Sequence, residues 1–368
     1  MAQMLYVGGY TEPIQMGTGE VLAGRSGGIG RFIFDEQSGE LSSIGEPAYV
    51  PNPSWVLAAP DGKWVYCVNE LKAHGCVGGS TVTALRRGEA GVLEAVGVQA
   101  TCGEDACHLS LSPDGRWLLA SNYSGGSFCV LPTDDRRGVG PASCVLRHTG
   151  SGPNAARQEG PHPHQTLVSP DGRFIYIQDL GLDALKCYRA DWSRGWLLPE
   201  PTRDIPGTAG QGIRHGAFNA AGDRLYVMTE MACEINVYAF DAGSGAAELL
   251  QRCPCLAGGP GREDTGAALR LHPSGRWLYG SVRGADVICA FEIGGDGRLT
   301  RIQAQPSGGR TPRDFAISPD GRWLLAGHQD SDDICVHALD PDTGGLTLCR
   351  RVEGVPCPTS LCFAPEQG

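Results

Sequence analysis

Apolar residues in this chain come in short runs, such as TLVS, RFIYIQ and VICAFEI, separated by clusters of Gly, Pro, Asp and Ser. No stretch carries apolar residues at helical spacing over enough length for a long helix to be expected. Short runs bounded by turn formers predict β-strands joined by tight turns.

One turn signal recurs along the chain: PDGKW (60–64), PDGRW (113–117), PDGRF (170–174), AGDRL (221–225), PSGRW (273–277) and PDGRW (319–323). Its glycines, at 62, 115, 172, 222, 275 and 321, lie 46 to 57 residues apart. Each unit places an apolar run before the turn, an aromatic-rich run after it, then a third run and a more variable fourth. A four-stranded sheet cannot bury both faces alone, so the units must stack, and a period near fifty predicts propeller blades. Six turns give six blades. LYVGGY near the start matches a second strand, and PTSLCFAPEQ near the end matches a first strand with Pro365 at the turn proline. The expectation is therefore an all-β chain forming a single domain over residues 1–368. It would be a seven-bladed β-propeller of four-stranded antiparallel blades, with N- and C-terminal strands closing the ring in one blade and hiding two edges.

The Asp-Gly turn suggests a two-residue hairpin, in which positions equally far before and after the glycine sit side by side. Eight residues before it come Ser54, Cys107, His164, Arg214, Ala267 and Arg313, with Thr359 in the closing blade. Eight after it come Glu70, Tyr123, Leu180, Glu230, Arg283 and Gln329, with Tyr10 in the N-terminal strand. Innermost strands line a propeller's channel, so these residues should meet at one mouth of it. Two further features point to the same place. His162 and His164 stand two apart on an extended segment and can face the same side. Just upstream, HTGSGPNAARQEG (148–160) is a polar insertion, and long loops on rigid scaffolds often carry binding. It brings Arg157 and Gln158 as candidates to close over a substrate.

Composition narrows the chemistry. A formal charge of −11 and only isolated Arg pairs (86/87, 136/137, 350/351) argue against a nucleic-acid partner. Nothing approaches 18 uninterrupted apolar residues or a leader pattern, so no membrane contact and a cytoplasmic location are expected. Fifteen cysteines without a C-x-x-C pair signal neither a disulfide framework nor a zinc ribbon. Cys76, Cys129, Cys187, Cys289 and Cys335 fall 14 or 15 residues after successive turn glycines, as small buried apolar residues would. Cys253-Pro-Cys255 reads as loop, and the DSDD run at 330–333 as a solvated turn lacking the features of a calcium loop. Gly24-Arg25-Ser26-Gly27-Gly28 matches G-x-S-x-G but lacks the strand, sharp turn and helix that motif requires. No metal is expected at the histidines, because the matched rim positions bring arginines rather than further ligands.

The ordered motifs YVGGYT, GPHPHQ, GIRH, the MTE at 228–230 and the SVR at 281–283 resemble those of the lactonase family of seven-bladed propellers, across essentially the whole chain. That family includes bacterial 6-phosphogluconolactonases and fungal carboxy-cis,cis-muconate cyclase. The resemblance implies opening or closing of a small-molecule lactone without a cofactor or required metal. Carried onto matching motifs, it implies His164, Arg214, Glu230 and Arg283 as catalytic residues. Either Glu230 or His164 would act as base, with the arginines stabilising an oxyanion or binding phosphate. His162, Arg157, Gln158, Tyr10, Glu70 and Tyr123 are the candidate substrate contacts. Competing readings are a muconate-type cycloisomerase and a non-catalytic propeller that binds protein partners at its rim. Each residue also has a plainer reading, such as a structural ion pair for Glu230 or a loop-orienting role for His162. Oligomeric state has no signal in the sequence.

Overall fold

The computed structural model describes residues 2–74 and 77–365, which form seven antiparallel sheets, five of four strands and two of five, and two two-stranded ribbons. The first strands of successive sheets touch one another around a closed circuit, so the sheets form the ring of a seven-bladed β-propeller. Blades 1 to 6 begin at Trp55–Ala58, Ala106–Leu111, Pro163–Val168, Ile213–Phe218, Thr265–Leu271 and Pro312–Ile317. Blade 7 is composite: Pro358–Phe363 is innermost and pairs with Ala2–Gly9, followed outward by Gly30–Asp35 and Glu40–Ser43. Helical structure among the described residues is confined to two short 3-10 turns.

The recurring turn differs from the expected two-residue hairpin. It is a four-residue loop, closed by bonds such as Ser112 N to Trp117 O and Ser318 N to Trp323 O. The side chains explain why Ser-Pro-Asp-Gly-Arg is repeated. Asp114 accepts the Ser112 hydroxyl at 2.6 Å and pairs with Arg116 Nε at 2.7 Å, and Asp171 and Asp320 repeat the arrangement. A short acidic side chain that bonds its own turn competes well at such positions. The glycine sits at φ of 69° to 73° in all six copies, a conformation other residues adopt only with strain.

After five of the six turns an aromatic residue joins one blade to the next. Trp64, Trp117, Phe174, Trp277 and Trp323 lie on Gly138, Gly195, Gly245, Gly344 and Gly39 in the following blade. A Cβ on Gly344 would come within 2.5 Å of the Trp277 ring. Tyrosine hydroxyls reinforce the joint: Tyr176, Tyr226 and Tyr279 donate to the carbonyls of Gly245, Gly297 and Gly344. The apolar clusters accordingly lie between blades, as where Trp64, Tyr66 and Val82 of blade 1 meet Leu118, Leu131 and Val139 of blade 2.

The cysteine register holds in part. Cys129, Cys289 and Cys335 are buried on third strands opposite Ala120, Gly280 and Ala326. Cys187 is also buried but pairs with Tyr176, one residue out of step and so on the other face. Cys76 lies outside the described residues; Thr83, across from Cys67, holds its register position. Cys253 belongs to a strand rather than a loop.

Because Trp277 and Gly344 form one joint, their substitutions should couple. Trp277→Ala should cost about 3–5 kcal/mol. Gly344→Ala should destabilise the native protein and cost less in the Trp277→Ala background, where the clashing ring is gone and only the strain of a side chain at φ 69° remains. Urea unfolding of the two single variants and the double variant measures the cycle.

Candidate active site

The innermost strands are interrupted at one level. Ladder register shifts between Ala106 and His108, Pro163 and Gln165, Ile213 and His215, Pro312 and Asp314, and again near Pro358. The residues at those shifts are Cys107, His164, Arg214, Arg313 and Thr359, the positions eight before the turn. A bulge re-aims the extra side chain, and here it sends each one towards the channel mouth. The opposing positions are held by backbone bonds just beyond the bulge: Glu70 N to Asn52 O, Tyr123 N to Asp105 O and Glu230 N to Gly212 O.

The result is a cavity of about 780 Å³ at the mouth, lined by Glu70, Tyr123, Arg157, His164, Arg214, Glu230 and Arg283. Its centre is Glu230, which is buried and whose two oxygens are fully engaged. Oε1 takes Arg157 Nη2 at 2.5 Å; Oε2 takes Arg214 Nε at 2.9 Å and Arg283 Nη2 at 3.1 Å. Arg214 also donates to the Ala267 carbonyl at 2.7 Å, and Arg157 to the Tyr123 hydroxyl at 3.3 Å. The insertion thus reaches the mouth through Arg157.

Burial alone would raise the pKa of Glu230, but Arg283, Arg157 and Arg214 outweigh it and hold the carboxyl well below the usual carboxylate range. Burial and the neighbouring Arg283 lower Arg214 to about 10, so it stays charged at neutral pH. His164 is held well below the ordinary imidazole value, chiefly by burial and then by Arg214, and is neutral at pH 7. Burial pushes Glu70 the other way, up to about 7, against the pull of Arg313. The deep mouth therefore sets arginines around one carboxylate ionised at neutral pH, beside one neutral imidazole and one carboxyl poised near neutrality.

Three candidates lie away from the lining. Gln158 is fully buried and holds its own loop, donating to Leu180 O at 2.9 Å and accepting from Asn154 N at 3.1 Å. Tyr10 is buried beneath the mouth, donating to Glu70 Oε2 at 3.1 Å and accepting from Arg313 Nη2 at 2.9 Å. His162 does not share a site with His164. Its ring stacks on Tyr123 at 4.5 Å, with Nδ1 3.1 Å from Tyr123 O and Nε2 3.2 Å from Glu159. The bulge at His164 breaks the alternation that would have aligned the two.

Arg313 and Asp105 also line the cavity and stand outside that candidate set. Arg313 is visible in the sequence as the blade 6 counterpart of Arg214; Asp105, at φ 52° before a bulge, has no sequence signal. Among the described residues one group brings three metal-ligand types together, His328, Asp333 and Cys335, all buried. Asp333 there accepts Arg351 Nη2 and pairs with His328 Nδ1, each at 2.7 Å, so a guanidinium already neutralises it. The last residue of the DSDD run is thus a buried anchor rather than part of a solvated turn.

Glu230→Gln keeps the shape but leaves three arginines facing one another, and breaking a buried pairing of this kind costs about 3–5 kcal/mol. A depressed folded-state pKa stabilises fully above the unfolded carboxyl value of about 4.3 and is lost as pH falls through the folded value. Urea unfolding should therefore show a wide gap between wild type and variant at pH 7 and a narrower one at pH 3.

Residues 4–364 match the family described as lactonase, 7-bladed beta-propeller. The 6-phosphogluconolactonase of Bacillus subtilis is 27% identical over 359 residues, 97% of each chain. That of Formosa agariphila is 28% identical, covering 87% of this chain and 90% of its own. The structure of the periplasmic gluconolactonase of Pseudomonas aeruginosa superposes with a TM-score of 0.90 at 30% identity, covering 99% of both chains. With a cationic mouth built at the bulges of a seven-bladed ring, and a match running nearly end to end, this chain belongs to the seven-bladed β-propeller lactonase family.

Proposed function

We propose that this protein hydrolyses an anionic sugar lactone, 6-phosphogluconolactone, to the open acid, a step of the oxidative pentose phosphate route that would place it in the cytoplasm. The observation that carries the reading is the convergence of three arginines on one carboxylate, Glu230, in the deep mouth. Arg157, Arg214, Arg283 and Arg313 line one cavity, and Glu230 compensates only part of their charge. Guanidinium forks suit both tasks the reaction sets: holding a phosphate through paired oxygens and stabilising the oxyanion formed when water adds to the carbonyl. The names of the Bacillus and Formosa relatives support the same substrate.

Glu230 does not fit the role of base, since both its oxygens are committed to arginines. Its work is to hold Arg214 and Arg283 at fixed orientation, so that little reorganisation is needed when the oxyanion forms. His164, neutral and lining the floor beside Arg214, orients the attacking water or the leaving ring oxygen. The Pseudomonas relative supports a second reading, hydrolysis of unphosphorylated gluconolactone by the same residues.

The assay is turnover of freshly generated 6-phosphogluconolactone, corrected for spontaneous opening, beside gluconolactone and a muconolactone. The phosphorylated lactone should show the highest kcat/KM, with inorganic phosphate a competitive inhibitor. Arg283→Met should lower kcat/KM by about 10²–10³-fold, as loss of an oxyanion donor does. Turnover of gluconolactone alone would remove the phosphate part of the reading, and turnover of no lactone would remove all of it.

A further inference from the structure

We propose that Glu70 is the group that takes the proton from the attacking water and returns it to the ring oxygen as the lactone opens. The inference rests on the lactone-opening reading and adds a catalytic residue to it.

Three buried carboxyls line the mouth, Glu70, Asp105 and Glu230; of these only Glu70 also lines the narrow floor, and it is built differently from Glu230. Glu230 has three guanidinium groups within 3.1 Å. Glu70 is also buried, but its carboxylate accepts a hydrogen bond from the Tyr10 hydroxyl, 3.1 Å from Oε2, and the nearby Arg313 spends its own hydrogen bond on that hydroxyl rather than on the carboxylate. Among the described residues no arginine or lysine forms an ion pair with it. Glu70 also faces the narrow floor shared by His164, Arg214, Arg313, Cys107 and Ser54. A carboxylate locked in ion pairs accepts a proton poorly. One held by neutral hydroxyls, at the floor where the carbonyl would meet Arg214, accepts it readily.

The charged and titratable groups around it are Arg313, Asp105, Tyr10 and Cys107. Burial raises the carboxyl and Asp105 raises it further, while Arg313 and the Tyr10 and Ser54 hydroxyls lower it; the balance, about 7, suits a base working near neutrality. The step balances without another reactant. Water oxygen bonds to the carbonyl carbon as its proton passes to Glu70. The ring C–O bond then breaks, the ring oxygen takes the electron pair and the proton from Glu70, and the carboxylic acid formed releases its own proton to solvent.

The test is the pH profile of kcat/KM on 6-phosphogluconolactone and gluconolactone for wild type, Glu70→Gln and Tyr10→Phe. Wild type should rise through an inflection near pH 7 as Glu70 ionises. Glu70→Gln should lose about 10²–10⁴-fold in kcat, keep KM within a few-fold and lose the inflection. Tyr10→Phe removes a hydrogen bond to the ionised form, so its inflection should move to higher pH. If Glu70→Gln fails to fold, the Tyr10→Phe shift decides. An active wild type whose inflection is unmoved by either substitution overturns the role of Glu70 alone, and a wild type that opens no lactone overturns both readings.

Discussion

The constraint on which this structure depends is that a four-stranded blade has two apolar faces and no means of covering them by itself. Each face is sealed by the next blade, so stability comes from closing the circuit. The inter-blade joints show how this is done. After five of the six turns an aromatic ring needs a neighbour with no side chain, and a positive-φ glycine in the following blade provides it. The same glycine's carbonyl accepts the tyrosine hydroxyl in several blades. The closing blade obeys the rule from both ends of the chain, Tyr6 donating to Gly91 while Trp323 of blade 6 lies on Gly39.

Closure also creates the site. Seven first strands crowd around one axis, and a regular strand there would direct alternate side chains into neighbouring blades. Bulges at one level turn single residues out of that alternation and into the channel. The scaffold is shared by every blade, while the bulged residue varies: cysteine, histidine, arginine, arginine, threonine. What lines the mouth thus varies from blade to blade at the bulges and at the positions facing them, while the packing between blades repeats.

How much of this is legible in the sequence follows from which interactions are periodic. The turn, the aromatic after it and the four-run unit recur, so blade number and ring closure can be counted directly. The register of rim positions also survives, although the hairpin geometry assumed for it was wrong: the four-residue loop and the bulge each shift the pairing, yet Arg214 still reaches Glu230. What cannot be read is contact made by irregular segments. Gln158 sits next to Arg157, but one braces the loop from within and the other reaches Glu230. His162 and His164 look equivalent until the bulge between Pro163 and Gln165 separates them. Nor does spacing reveal that three arginines converge on Glu230 while, among the described residues, no arginine is ion-paired with Glu70.

Electrostatics at the mouth run against the charge of the whole molecule. The chain carries −11 overall, yet Arg157, Arg214, Arg283 and Arg313 lie in the well, while the more exposed Glu20, Arg262, Glu263, Asp264 and Asp330 stand at its rim. Screening over about 8 Å at physiological salt lets the deep cations dominate for an anion already inside, while the rim acts on what enters or leaves. In the proposed reaction the product carries one more negative charge than the lactone. The arginines that stabilise the oxyanion would therefore also retain the product, and the acidic rim opposes that retention. A mouth built only of cations would bind the product more tightly than turnover allows; one with cations at the floor and carboxylates at the lip favours the charge that develops at the floor and opposes the charge that must pass out.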